Sequence, residues 1–575
     1  MANETAAAKG SFTAQLRSLG GIYWTANWME LVERFAYYGV RVVLPVFMVL
    51  PLTEGGPELT HIQKGTIYAI WALVQSFVPV FSGTSADRYG YKLSIAVSTV
   101  LKIIGYLIMG YALSIAGSLA GGSLVEARAA GTDVTYEVFF AGAMFLALGT
   151  AIFKPGVQGL IAQQLPDSAA GLGWGLFYQM VNIGGFLGPL VAGYLRVLEW
   201  QYVFLVCAAG ISLNFIPLFF FKEPVKEGVT DERGPGALLV DALRGLLEPR
   251  LFFFTMAFAG FWLMFYQLFD ILPNFIDDWV DSRGPANALI GLVGSDAVPT
   301  VNEGNLTQEW ILNFNAFLIS LFAFLVGYWT GKVRSLVAIV LGIAVSAVGI
   351  YMLGWSMTGW MTLGAIGIFS VGEMMASPTK MRYLSAIAPP GRKGQYMGYV
   401  NMTVGIGWSI GSIVAGSWYE ENGDKINLAR RYMSEELGVS GAADLPRGEV
   451  LEAFYAAADV DAWGARELLW NAYEPNAMWL LFTAIGVASM LLLIGYDRLL
   501  EKAKLDPSHS FNTQGRRWVQ VALVPIITAF AYATYAGFSV ALLILLSLMV
   551  LLLVASFVFP AEEATRDDDS APTSF

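Results

Sequence analysis

The sequence has little of what enzymes and disulfide-bonded secreted proteins rely on. One cysteine, Cys207, excludes an intrachain disulfide and a multi-cysteine metal site. The two histidines, His61 and His509, lie at the edges of apolar segments, where we expect solvated side chains and no metal ligand. Only 14% of the residues are charged, and the net charge of -11 argues against a nucleic-acid partner. With no Ser/His/Asp set, metal cluster or nucleotide loop, we expect no enzymatic activity and no cofactor.

Hydrophobic residues dominate what is present. They make up 56% of the 575 residues, and the mean hydropathy is +0.57. Apolar stretches of roughly 20 residues cross a bilayer as helices. We count about fourteen, which predicts an all-α polytopic membrane protein that lies in a lipid bilayer. Their centres are near Val40, Val74, Ile104, Ala147, Ile183, Ala209, Trp262, Ala323, Ile343, Ser370, Gly405, Ala484, Ile526 and Leu548.

The basic residues predict the orientation of these spans. Lys and Arg cluster in the loops near 88–92, 222–250, 332–334, 392–393 and 498–517, and basic loops face the cytoplasm. Both termini are then cytoplasmic, and we expect a bacterial-type plasma (inner) membrane. The predicted order is a cytoplasmic N-terminus (1–20), an N-terminal six-helix half (21–221), a cytoplasmic linker (222–248), a C-terminal six-helix half (249–500) with an outer insertion (419–474), a cytoplasmic loop (501–517), an extra transmembrane hairpin (518–560) and an acidic cytoplasmic tail (561–575).

Two of these segments have open roles. The outer insertion contains amphipathic runs and predicts a small helical cap, which is either a surface for a partner protein or a tolerated loop insertion. The terminal hairpin has no ionisable residue in its apolar cores. It is expected to serve packing or assembly, and a partner protein could bind there instead.

The first predicted span carries two acids and two bases within twelve residues. Charges at bilayer depth cost about 2.5 to 3.5 kcal/mol each on insertion scales, so they need partners and a polar interior to face. A helix turns about 100° per residue, which places Glu30, Arg34, Tyr38 and Arg41 in one stripe with Glu33 and Tyr37 beside it. The stripe is either a proton and substrate site or an ion-pair cluster that only fixes helix packing.

Several motifs carry a resemblance to known families. The loop after the second span, with Gly83, Asp87, Arg88, Gly90 and Lys92, resembles the inside-gate motif of the major facilitator superfamily, and Gly327 to Arg334 repeats it in the second half. Within that superfamily, Glu30-x-x-Glu33-Arg34-Phe35-x-Tyr37-Tyr38-Gly39 resembles the first-helix motif of the proton-coupled oligopeptide transporter family. Further matches are Gly149-Thr150-x-x-x-Lys154-Pro155, Phe177-Tyr178-x-x-x-Asn182-x-Gly184, Asn315-Ala-Phe-Leu-Ile and Gly372-Glu373-x-x-x-Ser377-Pro378.

This resemblance implies the major facilitator fold, two six-helix halves, here with two additional C-terminal helices. It also implies site roles. Proton coupling would fall to Glu30, Glu33, Arg34, Lys154, Glu373 and Asp270. Substrate would contact Arg34, Tyr38, Arg41, Lys154, Tyr178, Asn182, Trp262, Asn315, Glu373, Ser377 and Lys380. Arg34, Arg41 and Lys154 would hold a carboxylate, and Glu373 with the two asparagines an amino group. The open alternatives are a fixed counter-ion for Lys154, interhelical hydrogen bonds for the asparagines and a kink at Ser377.

The sequence also departs from the family pattern. Ser76 and Val400 stand where the family has aromatic residues, and Tyr266 stands where it has an acid. Asp270, one turn on, either replaces that acid or is solvated at the outer end. Lys380 either lines the cavity or extends to the inner interface, and Arg382 adds a second positive charge nearby.

These observations lead to a ranked set of functions. The first is a proton-coupled symporter that imports di- or tripeptides, or peptide-like solutes, by alternating access. The second is a transporter of another solute, such as an organic anion, nitrate or a drug, which Lys380 and the lost aromatics favour. The third is a non-transporting sensor or scaffold, which has no need of charged residues in its interior.

Overall fold

The computed structural model describes residues 12–223, 235–388, 393–505, 511–536 and 540–559, which are almost entirely helical. The first ten helices are α1 (Phe12–Ser18), α2 (Gly21–Phe47), α3 (His61–Tyr89), α4 (Tyr91–Gly110), α5 (Ala112–Leu119), α6 (Leu124–Ala129), α7 (Thr135–Gln164), α8 (Ala170–Leu198), α9 (Trp200–Ser212) and α10 (Phe215–Phe220). The next are α11 (Pro235–Leu246), α12 (Pro249–Asp270), α13 (Leu272–Trp279), α14 (Arg283–Val293), α15 (Gln308–Thr330), α16 (Ser335–Met352), α17 (Gly359–Ile387) and α18 (Lys393–Asn422). The last are α19 (Lys425–Glu435), α20 (Val450–Ala458), α21 (Ala462–Tyr473), α22 (Ala477–Leu505), α23 (Phe511–Ala536) and α24 (Val540–Val558). A small antiparallel hairpin of β1 (Thr300–Val301) and β2 (Asn305–Leu306) lies between α14 and α15.

The long helices agree with the predicted spans. Within the described ranges, 11 helical segments are long and apolar enough to cross a bilayer, with α9 and α10 counted as one. Helices α2, α3 and α18 have 27, 29 and 30 residues and carry polar motifs, which lower their hydropathy. Together these segments give about fourteen spanning helices, as predicted, and the all-α polytopic fold is confirmed.

The chain forms two compact units. The first comprises Met1–Thr60, Val78–Glu232 and Asp281–Ser320, and the second comprises His61–Phe77, Arg233–Val280 and Leu321–Phe575. Two helices are divided between them, because the first part of α3 belongs to the second unit and the first part of α15 belongs to the first unit. Each unit therefore contains a piece of chain from both sequence halves.

In the first unit, α2 packs against α7, α8 and α9, and α4 packs against α7 and α9. Glycines allow the closest of these approaches. A Cβ atom at Gly184 of α8 would lie 2.4 Å from the carbonyl oxygen of Leu31, and one at Gly149 of α7 would lie 2.7 Å from Lys102 Cγ. Small residues at such crossings let helix backbones meet closely in a membrane.

In the second unit, α12 packs against α18 and α22, and α16 packs against α17 and α22. The terminal helices α23 and α24 pack on each other, with α23 also against α12 and α24 against α11. The guanidinium of Arg244 in α11 lies 4.3 Å from the ring centre of Phe559, at the end of this hairpin.

The outer insertion forms three short helices, α19 to α21, which we call the cap. Asp424 and Asp461 begin α19 and α21 as N-caps, since their side chains accept hydrogen bonds from the backbone of Asn427 and Gly464 at 2.8 and 2.7 Å. Helix α21 also packs against α13. The indole of Trp279 in α13 donates to the carbonyl of Gly423, at the entry to the cap, at 2.9 Å.

Candidate functional site

Helix α2 buries the acidic part of its polar stripe. Glu30, Glu33 and Arg34 are each at most 3% exposed. Arg34 Nε lies 3.3 Å from Glu30 Oε1, one turn away, and the same guanidinium donates to Glu33 Oε2. The rings of Tyr37 and Tyr38 lie 5.0 and 5.7 Å from this guanidinium. The predicted stripe is therefore an ion cluster centred on Arg34.

A lysine that the sequence analysis did not single out completes this cluster. Lys102 of α4 is fully buried and its ammonium forms an ion pair with Glu33 Oε1. The ammonium also lies 4.4 Å from the ring centre of Phe153. Lys102 is the one charged residue in the interior of α4, since Lys92 lies in its first turn, so its position in the sequence was a usable signal.

Lys154 of α7 is the third cation of the cluster. Its side chain is exposed, and it interacts electrostatically with Arg34, Glu30 and Glu33. The described residues offer no hydrogen-bond donor to Glu30 Oε2. The two acids thus differ, because both oxygens of Glu33 pair closely with a cation, while the close ion pair of Glu30 is with Arg34 through one oxygen.

The other predicted residues of the first unit have varied environments. Arg41 and Asn315 are buried, and both interact with neighbouring groups. Tyr178 is 48% exposed. Asn182 donates a hydrogen bond to the carbonyl of Tyr178, one turn earlier, at 2.9 Å. This local bond leaves the amide oxygen of Asn182 available for another donor.

In the second unit, Lys380 of α17 lies against α12. It is buried, and its ammonium is 3.8 Å from the ring centre of Trp262. This contact places the charge in the interior of the unit and favours that position over the inner interface. Glu373, two turns earlier on α17, and Ser377 are partly buried.

Asp270 occupies a closed environment at the end of α12. It is 1% exposed, and Trp408 Nε1 and Ser412 Oγ donate to its Oδ2 at 2.9 and 2.7 Å. A solvated outer-end residue does not fit this burial. Tyr266 stacks on Trp408 with ring centres 4.2 Å apart, so the residue that stands in place of the family's acid supports the indole that binds Asp270.

Residues 28–412 match the sequence profile of the Major Facilitator Superfamily. The chain belongs to this superfamily. It is therefore a membrane transporter of the major facilitator type with several spanning helices, the class that the fold and the buried charges also indicate.

Several known transporters are similar to this chain. The peptide transporter YePEPT of Yersinia enterocolitica subsp. palearctica serotype O:3 (strain YE-P4) is 27% identical over 220 residues, which are 38% of this chain and 39% of that protein. The multidrug resistance protein MdtH of Enterobacter sp. (strain 638) is 22% identical over 430 residues, 72% of this chain and 90% of MdtH. A crystal structure of the peptide transporter POT in complex with sulfate has a TM-score of 0.56 at 16% identity and covers 84% of this chain and 94% of that one. The predicted resemblance to the oligopeptide transporter family is confirmed.

The superfamily's gate motif joins α3 to α4. Gly90 lies between them with φ +110°, and Lys92 Nζ donates to the carbonyl of Phe221 at 3.2 Å. Glu223 accepts a hydrogen bond from the backbone N–H of Tyr91 at 2.5 Å. This bond gives a partner to a backbone N–H group in the first turn of α4, and it was not predicted. Gly83 and Arg88 lie in the last turns of α3, while the side chain of Asp87 lies outside the described residues.

Two arginines connect the repeated motif of the second half to neighbouring helices. Arg334 pairs with Asp497 and Glu501 of α22 at 2.9 and 3.4 Å. Arg382 donates to the carbonyls of Thr330 and Val333, both at 3.1 Å. Arg382 therefore caps the C-terminal end of α15, where positive charge is favourable.

A second buried polar cluster lies in the second unit, where the cap begins. Lys64 of α3 is 1% exposed and donates to Asn274 Oδ1 at 2.6 Å, and Asp270 is the acid that attracts it most strongly. His61 is also 1% exposed, and its Nε2 lies 2.9 Å from Asp424 Oδ2. The expectation of a solvated His61 is wrong, because the cap covers it; His509 lies outside the described residues.

Asp424 joins this cluster to the cap. Arg447 Nη2 lies 2.5 Å from its Oδ2. Burial acts to raise the pKa of Asp424, but Arg447 and His61 outweigh it and hold the pKa well below its usual range. No group of three or more possible metal ligands occurs among the described residues.

Proposed function

We propose that this transporter is a proton-coupled symporter that imports di- and tripeptides or peptide-like solutes by alternating access. The observation that carries the proposal is the buried cluster on α2, where Glu30 and Glu33 share Arg34. Buried carboxylates with cationic neighbours change their proton affinity strongly when a neighbour moves. Such a cluster suits a protein that exchanges protons during each transport cycle.

Charge distribution supports a zwitterionic substrate. The resemblance assigns the cations Arg34, Arg41 and Lys154 to a substrate carboxylate, which charged donors suit. It assigns Glu373 to a substrate amino group. Asn182 and Asn315 are proposed to add hydrogen bonds to that end. Substrates with both charged termini are therefore expected to bind best.

Coupling follows from competition for these cations. A substrate carboxylate that pairs with Arg34 or Lys154 weakens their hold on the α2 acids, so proton affinity there rises. We propose that Asp270 and Glu373 contribute to the same exchange.

The lysine-rich and arginine-rich loops support an inner-membrane location with both termini cytoplasmic.

The test is uptake of labelled dialanine into liposomes that contain the purified protein. An inward proton gradient with a negative-inside potential should drive accumulation, and unlabelled dialanine should block it. N-acetyl-dialanine and dialanine amide, each lacking one terminal charge, are the matched competitors and should block weakly. Absence of uptake by protein that is shown to be folded would reject the peptide proposal.

A second candidate function is export or import of another solute, an organic anion or a drug. The buried Lys380 beside Trp262 favours it, because this pair adds positive charge and an aromatic surface to the second unit. The similarity to a multidrug resistance protein also supports it. Uptake of a labelled anionic aromatic compound that is inhibited by other anionic aromatic compounds, and not by dialanine, would favour this candidate.

A partner protein at the cap or the terminal hairpin stays a prediction. His61 and Asp424 are both buried where the cap begins, and they pair with each other without a partner protein.

A further inference from the structure

Lys102 gives the α2 cluster an unusual charge balance. Two acids, Glu30 and Glu33, face three cations, of which Arg34 and Lys102 are buried and Lys154 is exposed. An ion removed from water needs a partner, and loss of one member of a buried pair strongly destabilises a protein. The pairing inside the cluster therefore limits which acid can become neutral.

Glu33 is the acid with the stronger attachment. Its Oε1 pairs with Lys102 and its Oε2 with Arg34, and it has no exposed surface. Neutralising Glu33 would leave the ammonium of Lys102 buried, with the face of Phe153 as its remaining close contact within the part of the chain that the structure describes. The hydrogen bond from Ser98 to the carbonyl of Gly149, at 2.7 Å, fixes α4 against α7 and keeps Lys102 in place.

Glu30 has the weaker attachment. Its Oε1 lies 3.3 Å from an Arg34 nitrogen that also donates to Glu33. Its Oε2 is buried and receives no hydrogen bond from the described residues. A proton on that oxygen would leave no cation unpaired, because Arg34 keeps Glu33.

The charged and titratable groups around Glu30 come from three helices. Helix α2 supplies Glu33, Arg34, Tyr37 and Tyr38, α4 supplies Lys102, and α7 supplies Lys154. Of these, Lys154 is the exposed one and is the cation that a substrate carboxylate can reach. Withdrawal of Lys154 from the cluster would raise the proton affinity of Glu30, while Lys102 would remain paired with Glu33.

We propose that Lys102 keeps Glu33 as a permanent carboxylate, so that Glu30 is the acid that carries the transported proton. This inference rests on the proposed proton-coupled function and assigns separate roles to two acids that the sequence motif presents as equivalent. Lys102 is a positioning residue, since it acts through Glu33.

The first test reads protonation without transport. Infrared difference spectra of the purified protein, recorded as the pH is lowered, report the carbonyl band of a newly protonated buried carboxyl group. Glu30→Gln should remove a component of that band. The double variant Lys102→Met with Glu33→Gln, which removes a charge pair and keeps the net charge, should retain it. Retention in Glu30→Gln together with loss in the double variant would overturn the inference.

A stability cycle and a transport assay complete the test. Each single variant should unfold at lower temperature than the double variant, because Glu33→Gln leaves the buried Lys102 ammonium without its acid and Lys102→Met removes one of the two cations that pair with Glu33. Glu30→Gln should lose gradient-dependent accumulation while counterflow exchange persists. If the wild-type protein itself shows no gradient-driven uptake, the proposed function fails, whereas the infrared result still decides which acid binds the proton.

Discussion

At the scale of single residues, Lys380 is expected to set the charge preference of the substrate. Its ammonium is desolvated over Trp262, a contact that is worth about 2 kcal/mol in such settings. Lys380→Met should weaken inhibition by a dipeptide with an added carboxylate, such as Ala-Asp, by about tenfold relative to dialanine, since a charge contact of about 1.4 kcal/mol is lost. Lys380→Arg should keep the preference. Competition against labelled substrate measures both.

Lys332→Met is the matched control. Lys332 also lies over an aromatic ring, 4.1 Å from the centre of Tyr328, but its side chain is exposed. The Lys332→Met variant should leave the ratio of the inhibition constants for Ala-Asp and dialanine unchanged. An equal change in both lysine variants, or none in Lys380→Met, would contradict a substrate contact for Lys380.

The sequence predicted the acids of α2 better than their partners. The spacing of Glu30 and Arg34 placed them on one helical face, and the structure pairs them at 3.3 Å. Lys102 lies 69 residues from Glu33, and His61 lies 363 residues from Asp424. No local pattern reports such distant pairs, so a buried lysine in an apolar span signals only that some partner exists.

At the scale of elements, the crossing of α2 and α8 depends on Gly184. A methyl group there would lie 2.4 Å from the carbonyl of Leu31 and 2.8 Å from Arg34 Cβ. Gly184→Ala should therefore destabilise the protein by about 1–3 kcal/mol, the usual cost of overpacking, and should shift Arg34. Thermal unfolding in detergent and gradient-driven uptake measure the two effects.

Gly175→Ala in the same helix is the control. No atom lies within 4 Å of a Cβ placed there, and alanine is about 1 kcal/mol more favourable than glycine in a helix. The control should unfold at the same or a higher temperature. Similar losses of thermal stability in both variants would mean that the close approach of the helices at Gly184 is not the cause.

The attachment of the cap is expected to depend on pH through Asp278 of α13. Tyr419 donates to Asp278 Oδ2 at 2.8 Å. Burial raises the pKa of Asp278 to about 6 from its usual 3.8, although Lys425 opposes this. The carboxyl group of Asp278 thus binds its proton more tightly in the folded protein than in the unfolded chain. Its contribution to the stability of the attached cap is therefore present at low pH and is lost as pH rises through about 6.

Hydrogen exchange of α19 to α21, corrected for the intrinsic rate, should therefore show weaker protection at about pH 7 than at about pH 5. Asp278→Asn should remove that difference. Asp424→Asn is the comparison, because the lowered pKa of Asp424 leaves it charged at both values; it should weaken protection equally at both. An unchanged pH effect in Asp278→Asn would assign it to another group.

At the scale of the whole molecule, hydropathy predicted the number and order of the spanning helices. Length and apolar composition suffice for that. They do not predict which helix segments pack together, and the first parts of α3 and α15 each belong to a unit built mainly from the other sequence half. Contacts of this kind arise from side chains such as Lys64 with Asn274 and Arg196 with Glu309, at 2.6 and 2.9 Å.

The terminal hairpin is the part of the molecule that transport should need least. Helices α23 and α24 pack on each other and on α11 and α12, and no residue of the α2 cluster lies in them. A chain that ends after Leu505 should keep gradient-dependent uptake and unfold at a lower temperature, because the contact of Arg244 with Phe559 and the apolar faces of the hairpin are lost. A chain with Arg244→Ala alone is the control for that single contact and should lose less stability. Loss of uptake from a truncated chain that remains folded would show that the hairpin takes part in the transport cycle, since the acids and cations of α2, α4 and α7 would all still be present.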